Sequence, residues 1–152
     1  MGKRYQVGEV SRLTGVSVRT LHHYDRIGLL RPQQRTAAGY RLYGEQDLLR
    51  LQQILTLRYL GFPLKRIGEL LDRPGFDLSA SLRVQERVLR DRMAELARIT
   101  AVLGELVTAY QRDRGWNWDL VIHASETVAA GLASQENSMT ELFTPEQMQQ
   151  FA

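Results

Sequence analysis

The stretch SVRTLHHYDRIGLL, Ser17–Leu30, decides how the first half of this chain folds. Ser17 is a favoured N-cap residue, and the residues after it are apolar at helical spacing until Gly28 interrupts the pattern. The residues expected to face the core are Val18, Leu21 and Tyr24. Directly upstream, Tyr5–Leu13 shows the same periodicity and is predicted to be a helix that ends at Thr14-Gly15. Two short helices joined by a tight turn containing glycine predict a helix-turn-helix.

The second of these helices carries a cluster of polar and cationic side chains: Arg19, Thr20, His22, His23 and Arg26. Catalysis or metal binding would need a carboxylate that orients a histidine in a pocket, and the only carboxylate close by in the sequence is Asp25. Arginine donates paired hydrogen bonds to phosphate or guanine, and threonine and imidazole reach base edges. The cluster therefore favours contact with nucleic acid over catalysis, a metal site or a merely solvated face. For Tyr24 two interpretations stay open: its hydroxyl bonds a phosphate, or its ring packs in the core.

A hairpin is predicted after Arg31-Pro32, with Gly39 in its turn and Tyr40–Tyr43 as its returning strand. A hairpin beside a helix-turn-helix is a wing, so Tyr40 and Arg41 become candidates for contact with a nucleic-acid backbone. The alternative is that Tyr40 packs under the hairpin and Arg41 is solvated.

Two more helices are predicted beyond the wing. The third begins near Gly44, with Asp47 favourable in its first turn, and ends at Gly61. The fourth begins at Pro63 and ends at Asp72–Gly75. Arg58 and Lys65 add two cations close to the junction of these helices, and ordinary surface charge is the alternative for both.

A long helix is predicted from Asp77 to about Arg112, where apolar residues recur every seven positions. At about 1.5 Å a residue it would be roughly 54 Å long, and nothing else in the sequence is expected to cover its seam. We therefore expect it to pair with a second copy, although packing against another domain would give the same pattern. The expected dimerisation residues are Leu82, Leu89, Met93, Leu96, Ile99, Leu103, Leu106 and Tyr110.

The predicted domain boundaries are 1–75 for the winged helix-turn-helix, 76–112 for the dimerisation helix and 113–152 for the remainder. In the last segment a short helix is expected at Val121–Leu132 and a linker at Ser134–Thr140. Thr144-Pro145-Glu146 is a helix-start signal, but too few residues follow for a helix there to complete a domain. We expect this tail to be cut short or to fold only against something else.

Composition excludes several classes of protein. The 152 residues include no cysteine and three histidines, which argues against disulfides, thiol catalysis and a zinc site, and no cofactor or enzymatic activity is expected. No apolar run approaches the roughly 20 residues that span a bilayer, and a cytoplasmic protein is expected.

Residues 1–75 hold 13 Lys and Arg against 6 Asp and Glu, whereas residues 76–152 hold 7 against 11. A basic front half indicates a polyanionic partner, and nucleic acid is favoured over membrane.

These motifs, in this order, resemble the MerR family of transcription regulators. The segments that carry the resemblance are VGEV (Val7–Val10), TGVSVRTLHHYD (Thr14–Asp25), IGLLRP (Ile27–Pro32), GYRLY (Gly39–Tyr43) and LGFPL (Leu60–Leu64). The resemblance covers about Tyr5 to Arg112 and implies a mostly α-helical fold: a winged helix-turn-helix with a small β-hairpin wing, then a long antiparallel coiled-coil dimerisation helix. It assigns DNA-contacting places to Arg19, His23, Tyr24, Tyr40, Arg41, Arg58 and Lys65; Ser17, Thr20 and His22 complete the candidate set.

The resemblance also implies a mechanism. Such homodimers bind a palindrome in a long promoter spacer and, with inducer, kink and untwist the DNA for RNA polymerase holoenzyme. His23 occupies a place that is often Tyr or Phe in relatives, and the cysteines of metal-sensing members are missing. The HHYD run and Leu142–Met148 are similar to the TipA-like branch, whose C-terminal domain binds antibiotics or other hydrophobic compounds. Residues 113–152 are therefore expected to be a linker and the start of such a ligand-sensing domain, whose ligand-binding residues are unknown.

Three functions stay open at this point. The first is a promoter-distorting activator that senses a hydrophobic small molecule. The second is a ligand-independent repressor or architectural DNA-binding dimer. The third is a coiled-coil interaction adaptor whose basic half binds RNA or an acidic protein.

Overall fold

The computed structural model describes residues 2–141, and the side chains of residues 2–137. The chain divides into two compact units, Met1–Phe76 and Asp77–Ala152. Among the described residues, no helix combines the length and the apolar character that crossing a membrane requires.

The first unit contains four helices and three short strands. In chain order they are β1 (Tyr5–Gln6), α1 (Val7–Thr14), α2 (Val18–Arg26), β2 (Gln34–Arg35), β3 (Arg41–Tyr43), α3 (Glu45–Tyr59) and α4 (Leu64–Leu71). The strands form an antiparallel sheet in the order β1-β3-β2, in which Tyr5 lies opposite Tyr43 and Gln34 opposite Leu42. The predicted wing is therefore present as β2 and β3, and β1 pairs with the other edge of β3.

Local signals set the helix-turn-helix. Gly15 adopts a φ of 76°, a left-handed conformation that favours glycine, and its N–H donates to the Ser11 carbonyl at 2.9 Å. Ser17 begins α2 as predicted, because its Oγ accepts a hydrogen bond of 3.1 Å from the Thr20 backbone N–H. Gly28 ends the helix, again at positive φ. The predicted pair of short helices is confirmed.

The core of the first unit draws on all four helices and on the sheet. Its fully enclosed side chains include Val10, Leu21, Tyr24, Leu30, Tyr43, Leu51, Ile54, Leu57 and Ile67. The start of α3 is fixed by Asp47, whose Oδ2 accepts a hydrogen bond of 2.9 Å from the Gly44 N–H. These contacts hold α2, the wing and the α3–α4 junction in one body.

Three expectations for this unit are wrong. Tyr5 is not helical: it pairs with Tyr43 across the sheet, where its backbone hydrogen bonds are satisfied by a distant strand. Leu13, on the apolar face of the predicted first helix, is 63% exposed, and Val18 is 36% exposed instead of enclosed. Helical spacing alone cannot distinguish these positions from Val10 and Leu21, which do enter the core.

As far as residue 141, the second unit consists of two helices, α5 (Leu78–Asp113) and α6 (Trp118–Glu141), which pack against each other. The long helix is confirmed within one residue of its predicted ends, and Asp77 caps it by accepting from the Ala80 N–H at 3.0 Å. Glu95, Val102 and Ala109, spaced seven residues apart, are buried on α5. The Glu95 side chain lies against Gly131 of α6.

Two predictions about the second half are corrected. Residues Ser134–Thr140, expected to be a linker, continue α6 without a break, so the helix is twice as long as the predicted Val121–Leu132. The expectation that nothing in the chain covers the long helix fails on one side, because α6 packs along α5 and joins it in one compact unit. The helix-start signal at Thr144 lies outside the described residues.

The predicted dimerisation residues lie mostly on open surface. Leu82, Met93, Leu96, Leu103 and Tyr110 are exposed, and Leu89, Ile99 and Leu106 are half-buried. Exposed apolar residues at seven-residue intervals are costly for a lone helix in water. The face that α6 does not cover thus remains available to a partner.

Candidate nucleic-acid interface

One surface of α2 displays the polar cluster seen in the sequence. Ser17, Arg19, His23 and Arg26 are exposed, and Thr20 and His22 are half-buried. Ser17 and Thr20 are also joined side chain to side chain, since the Ser17 hydroxyl donates to Thr20 Oγ1 at 2.9 Å. The helix therefore presents cations and hydrogen-bonding groups to solvent while Leu21 and Tyr24 anchor its other side.

The two histidines have no metal-binding surroundings in the described part of the chain. Among those residues no group of three or more His, Cys, Asp or Glu side chains comes together in a way that would hold a metal ion. The ring of His23 instead lies 6.3 Å from that of Tyr24, measured between centroids.

Tyr24 is a core residue, as one of the two interpretations of the sequence expected. Its side chain is 1% exposed, and its hydroxyl accepts a hydrogen bond of 3.0 Å from Nη1 of Arg58. A direct contact between this tyrosine and a phosphate does not fit that burial. Tyr24 instead connects α2 to the exposed Arg58 at the end of α3.

Arg41 on β3 is held by Asp25 of α2. The Arg41 Nε donates to Asp25 Oδ2 in an ion pair whose side chains are 30% and 15% exposed, respectively. Arg41 is thus not simply a solvated side chain, because one edge of its guanidinium is bonded to Asp25. Sequence reasoning considered Asp25 only as a partner for histidine and missed this role, because nothing local links two residues 16 positions apart.

The tip of the wing exposes Tyr40. This residue is 64% exposed rather than packed under the hairpin, and the turn is closed by the Thr36 N–H, which donates to the Tyr40 carbonyl at 2.8 Å. Gly39 has a φ of 86°, as the turn requires. The wing therefore carries one exposed aromatic side chain beside the anchored arginine.

Arg58 and Lys65 lie on either side of the turn between α3 and α4. Both are exposed, and Gly61 between them adopts a φ of 99°. Lys65 stands in the first turn of α4, where a cation opposes the helix dipole. An anion bound nearby would offset that cost.

A buried tyrosine lies among the charged groups of this unit. Tyr43 is fully enclosed, and burial raises the pKa of its hydroxyl; the negative charge of Asp25 raises it further, while Arg41 acts in the opposite direction. The Tyr43 hydroxyl has no hydrogen-bond partner among the described residues. It remains protonated throughout the neutral range.

Together these side chains form a surface suited to a polyanion. The α2 cluster supplies groups that reach base edges, and Arg41, Arg58 and Lys65 supply cations from the wing and from the α3–α4 turn. Arg41 and Arg58 are each tied to α2 by a hydrogen bond.

Two family models match the chain. The model described as "MerR HTH family regulatory protein" matches residues 5–74, and the model "MerR, DNA binding" matches residues 48–106. The chain is also similar to the HTH-type transcriptional regulator SkgA of Caulobacter vibrioides, with 51% identity over 109 residues, which is 72% of this chain and 43% of that protein. It is 50% identical over 105 residues to the HTH-type transcriptional activator TipA of Streptomyces coelicolor, covering 69% of this chain and 42% of TipA.

Solved structures agree with these similarities. The crystal structure of SkgA from Caulobacter crescentus superimposes with a TM-score of 0.73 at 44% identity, covering 88% of this chain and 97% of that one. HiNmlR, described as a MerR family regulator lacking the sensor domain and bound to promoter DNA, gives a TM-score of 0.56 at 26% identity over 74% of this chain and 94% of that one. The chain spans about two fifths of the length of the curated relatives that it matches.

Proposed function

Since this chain belongs to the MerR family of helix-turn-helix regulatory proteins, we propose that it regulates transcription by binding promoter DNA as a homodimer. The observation that carries the proposal is the cationic surface built around α2. Arg19, His23 and Arg26 are exposed on that helix, and Arg41 and Arg58 are bonded to it from two other elements. The bound state of HiNmlR, a structural relative, supports duplex DNA as the polyanion.

Within this proposal the contacts divide by chemistry. Arg19, Thr20, His22 and His23 on α2 read base edges in the major groove, with Ser17 at its N-terminus near the backbone. Tyr40 and Arg41 on the wing, and Arg58 and Lys65 at the α3–α4 turn, bind phosphate and fix the register. Tyr24 takes part only through Arg58, as its burial requires.

The second copy is proposed to bind along α5. The exposed stripe that includes Leu82, Leu96, Leu103 and Tyr110 repeats every seven residues, which suits an antiparallel coiled coil. Because Leu96 is at the middle of this series, an antiparallel copy centred there would place Leu82 of one chain opposite Tyr110 of the other. Such a dimer would present two α2 helices to a palindromic site.

The regulatory mechanism is proposed to be activation by DNA distortion. Kinking and untwisting a long promoter spacer would realign the promoter elements for RNA polymerase holoenzyme. The energy would come from phosphate contacts that the deformed duplex allows and the relaxed duplex does not. The similarity to TipA, a transcriptional activator, and to SkgA, a transcriptional regulator, supports this class of function.

A hydrophobic small molecule is proposed as the inducer, on the strength of the TipA-like features of the sequence. The stretch Leu142–Met148 lies outside the described residues, so no ligand pocket can be assigned to it. Metal sensing is not proposed, because the sequence has no cysteine. The function proposed is regulation and not catalysis, and its place is the cytoplasm, where the promoter and polymerase are.

DNA binding is tested by a gel-shift competition. A labelled palindromic duplex, recovered by selection from a random library with this protein, is challenged with unlabelled duplex of scrambled sequence and with RNA. We expect the palindrome to be preferred over both competitors. Equal competition by RNA would favour the interaction adaptor instead.

Activation is tested by run-off transcription from a template whose promoter spacer is longer than usual and contains the selected palindrome. More transcript when the protein and a candidate hydrophobic inducer are added supports an activator. Less transcript under every condition would identify a repressor or an architectural protein that blocks the promoter.

A further inference from the structure

Two consecutive residues of α2 each hold an arginine that comes from another element. Asp25 Oδ2 accepts a hydrogen bond from Nε of Arg41 on the wing, and the Tyr24 hydroxyl accepts one of 3.0 Å from Nη1 of Arg58 on α3. In each pair the residue on α2 is the inner, less exposed partner. Tyr24 is buried, and the Asp25 side chain is half as exposed as that of Arg41. The arginines are the outer partners, with nitrogens left over on each guanidinium.

We propose that Tyr24 and Asp25 are positioning residues for DNA binding, which hold Arg58 and Arg41 so that their remaining guanidinium nitrogens are presented to phosphate. This inference rests on the proposed function, because it assumes that the surface binds DNA. Through these two bonds the helix that reads base edges also sets the place of one cation on the wing and one beside the α3–α4 turn.

The donor geometry of arginine supports a positioning role. A guanidinium has five N–H donors on three nitrogens and binds an oxyanion through one edge. Asp25 accepts from the Nε of Arg41, which leaves the edge formed by the two η nitrogens available. Tyr24 accepts from a single η nitrogen of Arg58. In both pairs the residue on α2 therefore uses only some of the N–H donors of the arginine.

Holding an arginine in advance also lowers the cost of binding. A free arginine side chain loses about 2 kcal/mol of rotamer entropy when it is fixed. A side chain already restrained by a hydrogen bond has lost part of that freedom in the unbound protein. DNA binding then needs less additional ordering at both positions.

The negative charge of Asp25 means that its effect on DNA affinity has opposite signs under two different roles. By Coulomb's law alone, a carboxylate near the DNA repels phosphate and partly neutralises Arg41, so its removal should strengthen DNA binding. A positioning role predicts the opposite sign, because without Asp25 the guanidinium is no longer held at the surface. The direction of the change in affinity therefore separates the two roles.

The experiment measures affinity of the full chain for a fluorescein-labelled random-sequence duplex by anisotropy, from roughly 50 to 200 mM salt. Asp25→Ala should weaken binding about three- to tenfold, the range expected for one lost hydrogen bond. It should also lower the salt slope by about one phosphate, as Arg41→Ala should. Asp25→Asn keeps an oxygen that can accept from Nε and should recover part of the loss.

A double-mutant cycle tests whether Asp25 acts through Arg41. In the Arg41→Ala background, Asp25→Ala should change affinity less than about twofold. A parallel cycle uses Tyr24→Phe, which keeps the ring and removes only the hydroxyl, together with Arg58→Ala. Additive losses in either cycle would contradict the positioning role of that pair.

The matched control is Asp72→Asn, which removes a carboxylate from another Asp–Arg ion pair in the same unit, with Arg50 at 2.9 Å. Since neither residue belongs to the candidate interface, this variant should bind DNA as the unmodified chain does. Tighter binding by both Asp25 variants would overturn the inference while leaving the proposed function intact. Failure of the unmodified chain to bind any duplex would overturn both.

Discussion

At the residue scale, Tyr43 combines complete burial with an unsatisfied hydroxyl. It pairs with Tyr5 across the sheet, and its hydroxyl has no hydrogen-bond partner among the described residues. A buried donor that has lost its water and gained no partner costs about 1–3 kcal/mol. Burial, and after it the Asp25 carboxylate, raises the pKa of this phenol above 10.0, the usual value for tyrosine.

We expect Tyr43→Phe to leave the free energy of unfolding unchanged or to raise it by about 1 kcal/mol, because it removes the unsatisfied group and keeps the ring. Urea unfolding at neutral pH measures this. A loss of more than about 1 kcal/mol would mean that the hydroxyl does have a partner in solution.

The raised pKa of Tyr43 also predicts a pH dependence. Because the unfolded chain ionises this tyrosine at lower pH than the folded protein does, the unfolded state holds fewer protons above pH 10. The contribution of Tyr43 to the free energy of unfolding is complete below its pKa in the unfolded chain. That contribution is lost as the pH rises through its higher pKa in the folded protein. Thermal unfolding from pH 8 to pH 11 should show a smaller decline for Tyr43→Phe than for the unmodified chain. Tyr59→Phe is the control, since Tyr59 is 78% exposed.

At the element scale, two helical glycines of the second unit have opposite surroundings. A Cβ added to Gly104 of α5 would meet nothing within 4 Å, whereas one added to Gly131 of α6 would lie 2.9 Å from Oε1 of Glu95. Gly104 therefore weakens α5 without a packing reason within the described chain. Gly131 allows α6 to approach the Glu95 side chain.

We expect Gly104→Ala to stabilise the second unit by up to about 1 kcal/mol, the difference in helix propensity between the two residues. Gly131→Ala gains the same propensity but must displace the Glu95 side chain, so it should give no net gain. Urea unfolding followed by circular dichroism compares the two variants. Equal stabilisation by both would show that α6 does not approach α5 closely at Gly131.

At the scale of the whole molecule, the described side chains of the second unit include two exposed apolar surfaces. One is the seven-residue stripe of α5, and the other lies on α6, where Trp118, Ile122 and Leu132 are exposed. Only the α5 stripe has the repeat that a coiled coil needs. This difference allows the proposed dimer to be tested with residues of equal exposure.

We expect Leu96→Glu to convert the proposed dimer into single chains, because it places two carboxylates at the centre of an antiparallel seam. Leu132→Glu is the matched control: both leucines are 60% exposed, but Leu132 lies on α6 outside the stripe. Sedimentation equilibrium at micromolar concentration measures the mass of each variant. Dissociation by Leu132→Glu, with Leu96→Glu still dimeric, would place the interface on α6 instead.

Much of the architecture was predictable from the sequence because its signals are local. Glycines at Gly15, Gly28 and Gly61, all at positive φ, mark ends of helices in the structure as they do in the sequence. The capping of α2 by Ser17 and the length of α5 were also predicted correctly. Each of these features depends on residues within a few positions of one another.

The candidate site was only partly predictable. Arg19, His23, Tyr40 and Lys65 are exposed, as residues that contact DNA must be, although their contacts remain predictions. Tyr24 is enclosed, and the alternative that it packs in the core is the one the structure supports. The spacing of residues could not decide between those alternatives, because a tyrosine at the same position of a helix can either be buried or extend its hydroxyl to the surface.

The sequence by itself determined which segments are helical, where most of them end and which helix face carries the cations, since caps, glycines and apolar periodicity act over a few residues. Tertiary structure alone decided that Tyr5 joins the sheet, that Asp25 holds Arg41, and that Tyr24 supports Arg58. These pairs are separated by 38, 16 and 34 positions in the chain. Such contacts form only when folding brings distant segments together, and local preferences carry no information about which ones will meet.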